Sequence, residues 1–545
     1  MFGSWPILST ILFSPLLGII ALLLIPKHNG RALKTTAIVA TLIPLVLAAL
    51  LYADFQHDTA DMQYKENANW IKVPLNKEIG DDLSSLKEFF YEFNYTLAID
   101  GLSLPLVFLT ALVTAMAAFA SVHVKKRWKA FYIWFLLLEI GMFGVFMARD
   151  LFLFFLFFEL TLIPMFFLIG IWGYMDRERA ANKFLIYNGI GSAVMILAFF
   201  IIVNTAGFTM QTVGDATSFY YSGSLDVITK NLFADQASLI HAGPEMFPDN
   251  PFYLSETMKW TLFIMLLIAF GIKLPIFPFH TWMLKVHTEA HPAVVMIHSG
   301  ILLKMGAYGL LTFGIMLFPV QAHGAALVIA ILGVINILYG AILALRQTDF
   351  KLILAYSSIS HMGIVLLGLA AFNEIGLKGA IFQLVSHGLI SALFFLLVGS
   401  LYERTETTEV RKLGGLSASL PFICGFLMLG GMASLGLPLL SGFISEFMAF
   451  LGLFETMPIV TVIGVLGIIF TAVYVLRGVM KISYGPIPEA YKGLRDARLV
   501  EAVPMITLTA FIVLIGIYPA VLSEPLQQTV SSIDEWIHNI VKMGG

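Results

Sequence analysis

Eight titratable side chains sit inside apolar runs, where no surface role suits them. Glu139 lies in FLLLEIGMFG, Glu159 in FLFFELTLIPMFF and Glu446 in SGFISEFMAF, while Lys273 lies in AFGIKLPIFPFH and Lys304 in SGILLKMGAYG. His298, His361 and His387 add imidazoles, whose charge can change near neutral pH. A charge at the centre of a bilayer costs at least ~2.5–3.5 kcal/mol, so such residues face a partner, a cavity or an ion path. One Glu–Lys pair could simply hold two helices together. Acids and lysines spread over five spans favour transfer, because apolar replacements would stabilise as well or better. The chemistry is proton or ion movement. Each histidine taken singly is more often a satisfied core side chain. His280, His287 and His291 follow the seventh span, where solvated loop histidines are favoured over a metal site.

Two helix breaks accompany these groups. Pro275 and Pro278 follow Lys273, and Pro438 with Gly442 precedes Glu446. Proline removes a backbone donor and frees the carbonyl four residues earlier, which lipid cannot satisfy. Such backbone survives where it lines protein or a watery cavity, and broken spans in corresponding halves point to a transport site. Leu274-Pro275 and Leu437-Pro438 stand five spans apart, which hints at an inverted repeat. Pro164 similarly loosens the helix beside Glu159.

The elements that must position these groups are transmembrane helices. Of 545 residues 59% are hydrophobic and 12% charged, against roughly 25% charged in soluble domains. Apolar windows give fourteen spans, near 4–25, 35–53, 101–122, 130–148, 151–172, 181–203, 257–279, 293–316, 325–344, 351–371, 376–401, 417–455, 459–480 and 500–522. The twelfth run is too long for one crossing and reads as a broken helix. Alternating sides places 21 Lys and Arg on one face and nine on the other, with Lys273 and Lys304 inside spans. The positive-inside rule then puts both termini outside the cell or inner membrane, with two acidic loops, 54–99 and 204–256. The first run is followed by Lys27, Arg31 and Lys34 and reads as a span, not a cleaved signal.

Cofactor chemistry has no foothold here. Cys424 is the single cysteine, which excludes an internal disulfide and a cysteine-held cluster or zinc. Neither a dinucleotide fingerprint nor a phosphate-cradling loop is present.

The chain resembles the antiporter-like membrane subunits of respiratory complex I, the proton-pumping NADH:quinone oxidoreductase, in their subunit M or chain-4 form. The resemblance rests on DGLSLPLVFLT (100–110), DLFLFFLFFELTLIPMFFLIGIWG (150–173), FGIKLPIFPFHTWMLKVHTEAHPAVVMIHSGILLKMGAYGLL (270–311), QTDFKLILAYSSISHMG (347–363), QLVSHGLISALFFLLVGSLYERTET (383–407) and GLPLLSGFISEFMAF (436–450). It implies an all-α fold of about fourteen helices with two inverted five-helix repeats and broken helices 7 and 12. The expected organisation is helices 1–3 in residues 1–122, repeats in 123–316 and 317–482, and a last helix with a short tail in 483–545. It also implies that Glu159 pairs with Lys273, that Lys304 and His387 continue a central polar axis, and that Glu446 is the terminal group for proton exit. Glu139, His298 and His361 are carried over less directly.

The function so implied is proton translocation, driven by electron transfer in partner subunits that hold FMN, iron–sulfur clusters and quinone. The expected partners are the other membrane-arm subunits, with no nucleic acid. Glu159, when ionised and near, holds the Lys273 ammonium; drawn away, it leaves that charge uncompensated and a proton departs towards Lys304, His387 and Glu446. The alternative is a subunit of a multi-chain sodium/proton antiporter or of a membrane-bound hydrogenase.

Overall fold

The computed structural model describes residues 5–74, 86–213, 216–234, 239–243, 250 and 252–544. Twelve helices among them are long and apolar enough to cross a membrane. In chain order these are spans 1 (Ile7–Leu24), 2 (Gly30–Asp54), 3 (Ser103–His123), 4 (Trp128–Met147), 5 (Leu151–Trp172) and 6 (Arg177–Ala206). Spans 8 (Pro292–Ile315), 9 (Ala326–Arg346), 10 (Phe350–Ala370), 11 (Glu374–Thr405), 13 (Pro458–Ser483) and 14 (Leu499–Ile517) complete that set. Two further elements are discontinuous. Span 7 runs over Glu256–Lys273 and Thr281–Glu289, and span 12 over Pro421–Ser434 and Ser441–Thr456. Counted with the twelve, they are compatible with the fourteen helices expected.

Helix starts follow local rules. Asp150 Oδ1 accepts from the amides of Phe152 (2.9 Å) and Leu153 (3.2 Å), and Asp349 Oδ1 from Lys351 (2.8 Å). Such caps satisfy amides that have no partner within the helix and contribute ~1 kcal/mol each. Pro292, Pro421 and Pro458 occupy the first helical turn, where a missing N–H does no harm.

Both breaks fall where the prolines and glycines place them. After Lys273 the chain leaves the helix, but it resumes one at Thr281. Residues 280–292, expected as a loop, therefore hold the second half of span 7. The helix can restart because no proline follows Pro278 until Pro292. In span 12 Gly436 takes φ +74°, a left-handed conformation that glycine adopts without strain from a Cβ.

The outer loops differ from expectation, since they hold β structure. Strands β1 (Gln63–Pro74), β2 (Leu86–Ile99), β3 (Phe208–Val213) and β4 (Ala216–Ser222) form one sheet in the order β1-β2-β4-β3. The two hairpins join through a parallel β2–β4 pairing, between loops that spans 3 to 6 separate in sequence. Lys72 and Glu92 pair across β1 and β2 at 3.0 Å. Isolated bridges Leu97↔Ala148 and Asp150↔Ser224 tie this sheet to the start of span 5, the helix that carries Glu159. The tail also differs. Ala520–Gly544 is a helix whose Leu522, Leu526, Val530, Ile533 and Ile537 are buried along one face, at helical spacing.

Candidate functional site

Span 8 is buried throughout and departs from α geometry at His298–Leu302 and Leu310–Ile315, both π turns. Lys304 stands between them. A π turn shifts the backbone register and frees carbonyls, a distortion found often at functional positions. The Ser299 carbonyl is in fact taken by Lys304 Nζ. The same ammonium lies 2.8 Å from Nδ1 of His387 on span 11. Small residues allow that approach: a Cβ on Gly388 would stand 2.8 Å from the carbonyl oxygen of Gly300.

An ammonium can only donate, so His387 Nδ1 accepts and the neutral ring carries its proton on Nε2. That nitrogen faces Ser358 Oγ of span 10 at 3.2 Å. The His387 ring lies 5.4 Å, centroid to centroid, from the ring of His361. His361 is the hub of the next stretch. Ser445 donates to Gln383 Oε1 (2.5 Å), so the Gln383 amide nitrogen is the group that donates to His361 Nδ1 (3.0 Å). His361 Nε2 then faces Ser434 Oγ at 3.3 Å, beside the break of span 12. Glu446 Oε1 is 3.6 Å from His361 Nδ1. Its other oxygen crowds Gly436, where a Cβ would come within 2.7 Å of Glu446 Oε2. Lys304, His387, His361 and Glu446, from spans 8, 11, 10 and 12, thus lie along one polar line, hydrogen-bonded from Lys304 to His387 and in close approach beyond it.

The other half is built differently. His287 is fully buried, with Nε2 2.9 Å from His298 Nδ1. This overturns the expectation of a solvated loop histidine, because the resumed helix of span 7 turns His287 inward. His280 is buried too, with Nε2 3.1 Å from Tyr339 Oη, whereas His291 caps span 8 by accepting from the Ala293 amide. Aromatic rings fill the gap between His298 and Lys273. Phe184 packs on His298 at 6.0 Å, and Lys273 Nζ lies over the rings of Phe158 (4.9 Å) and Phe184 (5.6 Å).

Lys273 Nζ, Glu159 Oε1 and both carboxylate oxygens of Glu139 have no hydrogen-bond partner among the described residues. Glu159 and Lys273, expected as a pair, form no contact ion pair among the described residues. Glu159 is half-buried, not enclosed as its apolar run suggests, because the outward face of span 5 passes beside it. More than nine in ten buried polar groups are hydrogen-bonded, and a bare charge in an apolar interior is costly. Such groups are the ones a solvent molecule would satisfy. His298 also keeps one bare nitrogen, Nε2.

Sequence reasoning missed His287, Gln383, Ser358 and Ser445. The histidine carried a signal, since the 270–311 block includes it. The serines and the glutamine carried none, being common in spans as packing residues. Among the described residues no three His, Cys, Asp or Glu side chains gather in a metal-holding arrangement.

Residues 148–471 match the transmembrane family described as NADH:quinone oxidoreductase/Mrp antiporter, and residues 83–146 match the amino terminus of NADH-ubiquinone oxidoreductase chain 4. The chain belongs to this antiporter family. NAD(P)H-quinone oxidoreductase chain 4 2 of Thermosynechococcus vestitus is 36% identical, covering 98% of this chain and 93% of its own. NADH-quinone oxidoreductase subunit M of Rhodobacter capsulatus is 34% identical, covering 98% and 97%. Among solved structures, a chain of respiratory complex I from Thermus thermophilus superposes with a TM-score of 0.78 at 26% identity, over 97% of this chain and 99% of that one. A chain of the Mrp complex from a Dietzia species shares the fold at 18% identity, with a TM-score of 0.77 over 98% and 99%. The antiporter-family match spans Glu159 to Glu446, while Glu139 falls in the chain-4 match.

Proposed function

We propose that this antiporter-family chain is a proton-translocating subunit in the membrane arm of a respiratory NADH:quinone oxidoreductase. The observation that carries the reading is the polar line from Lys304 through His387 and His361 to Glu446, preceded by Lys273 Nζ, Glu159 Oε1 and the Glu139 carboxylate, which have no hydrogen-bond partner among the described residues. Lys273 and Glu159 act as the loading pair. An ionised Glu159 close to Lys273 holds its ammonium; a carboxylate drawn away leaves the charge uncompensated, and the proton moves on. His298 and His287 bridge towards Lys304. The line then delivers the proton to Glu446.

Energy would come from electron transfer in partner subunits carrying FMN, iron–sulfur clusters and quinone, transmitted through neighbouring membrane-arm chains. The excess of basic residues on one face supports a cytoplasmic assignment for that face, with both termini on the outer side of the cell membrane. Spans 4–8 in residues 123–316 and spans 9–13 in 317–482 serve as the two half-channels. The family also contains Mrp antiporters. Relatives at 34–36% identity that are named quinone oxidoreductase chains support the redox-driven reading over a stand-alone antiporter.

The test is Lys273→Ala and Glu159→Ala in the assembled complex, with protons moved per electron pair measured in sealed vesicles. Abolished or sharply lowered pumping is expected, and normal stoichiometry in both variants refutes the assignment. Flavin- and quinone-binding chains in the purified complex separate the two readings, since an antiporter would contain membrane chains alone.

A further inference from the structure

A cavity of roughly 600 Å³ opens away from the buried line, on the face that carries the basic loops. Its walls come from the start of span 2, the connection between spans 3 and 4, the end of span 11 and the segment before span 14. The floor is organised by Arg404, whose donors are all engaged. Its Nη1 and Nη2 grip Glu501 at 2.9 and 2.7 Å, and it also donates to the carbonyls of Ser400, Arg495 and Asp496. His123 Nε2 lies 3.3 Å from Glu501 Oε1. This knot folds the 494–498 segment over the cavity.

Around that neutralised floor the rim is strongly cationic. Arg495 and Arg498 are exposed and form no ion pair among the described residues. Lys125 is 3.8 Å from Glu403, the one acid in the lining. Lys34 gives one hydrogen to the Val122 carbonyl (2.5 Å) and lies 5.4 Å above the Trp128 ring. Four basic groups from three separate parts of the chain thus converge on a concavity lined by a single carboxylate. Trp128 and the helix ends mark the level of the membrane surface, where amphipathic rings settle.

The geometry points to a binding site for a phosphate-bearing anion, namely the phosphate of an anionic phospholipid headgroup entering from the adjoining leaflet. Guanidinium groups meet phosphate through paired hydrogen bonds, and lysines add compact charge. Basic clusters beside a membrane span recruit anionic lipid by the same attraction. A headgroup held there bridges the 494–498 segment to span 2 and to the connection between spans 3 and 4.

The test uses the intact membrane complex, delipidated in neutral detergent and followed by native mass spectrometry. Dioleoylphosphatidylglycerol, dioleoylphosphatidylcholine and inorganic phosphate are offered in turn to the wild type and to Lys125→Ala/Arg495→Ala/Arg498→Ala. The wild type should hold one more phosphatidylglycerol than the variant, with affinity at least ~10-fold higher, and high salt should erase the difference. A charge-keeping set, Lys125→Arg/Arg495→Lys/Arg498→Lys, should restore binding. If the triple alanine form does not assemble, Lys125→Gln/Arg495→Gln serves in its place. Inorganic phosphate that displaces the lipid, or binds in its stead, also supports the phosphate site and names a soluble source. Equal retention of phosphatidylglycerol by wild type and variants, with phosphate not telling them apart, overturns the proposal. So does equal retention of phosphatidylcholine and phosphatidylglycerol at this site.

Discussion

Lys304 Nζ and His387 Nδ1 are 2.8 Å apart, and the ammonium's other hydrogen-bond partner is the Ser299 carbonyl. A buried lysine bonded to an imidazole and not to a carboxylate can pass its proton without breaking an ion pair. The imidazole accepts on one nitrogen and releases from the other, towards Ser358.

Lys304→Arg tests that exchange. Arginine keeps the charge and the donors but does not deprotonate in proteins. The variant should assemble normally, while proton transfer through this chain falls sharply, a positioned acid–base group contributing on the order of 10²–10⁴-fold. A pH-sensitive dye in sealed vesicles reads the outcome. Unimpaired pumping would remove Lys304 from the path.

His287 separates conduction from packing. His287→Gln can still bond His298 but cannot carry a proton, whereas His287→Phe retains bulk alone. Both should lower pumping if the His287–His298 contact conducts. A normal Gln variant beside an impaired Phe variant would show that the hydrogen bond is structural. Electron transfer to quinone, measured in parallel, distinguishes uncoupling from misassembly.

Arg404 and Glu501 form a two-point ion pair with little solvent access. Removing one partner of a buried pair leaves a bare charge and costs ~3–5 kcal/mol, more than removing both. Arg404→Ala and Glu501→Ala should each lower the thermal midpoint of the complex, and the double variant should fall short of their sum. Additive losses would mean that the two act independently.

Asp150 supplies a pH dependence outside the membrane. Burial, opposed by its amide hydrogen bonds, pushes this carboxyl from 3.8 up to about 6. The folded state therefore binds the proton more tightly than the unfolded one, so stability falls as pH rises through that interval and is flat above it. Asp150→Asn can still cap span 5 but cannot ionise. Thermal midpoints of the two forms should diverge between pH 4 and 6, with the wild type declining relative to Asn. A constant difference across that range would exclude the titration.

Much of this architecture can be read along the chain. Hydrocarbon admits only apolar side chains and internally bonded backbone, so spans, breaks and misplaced charges show themselves locally. Lys273, Lys304 and Glu446 are buried as their apolar neighbours imply. The break after Lys273 was legible from Pro275 and Pro278, whereas the helix restart at Thr281 was not, because polar Lys285, His287 and Glu289 make it resemble a loop.

The contents of the line belong to the tertiary structure. His361 was a minor candidate in sequence, yet it stands between the His387 ring (5.4 Å) and Glu446 (3.6 Å), held there by Gln383. Glu159 looked enclosed and is half-buried, since the rotation of span 5 decides which face its neighbours cover. The outer strands pair across four spans, a long-range choice that no local pattern dictates. Composition determined which groups lie in the membrane, because solvation is a property of each residue and its near neighbours. Packing decided which of them touch, because a rotation of any one helix moves its polar atoms by several ångströms while leaving its apolar run unchanged.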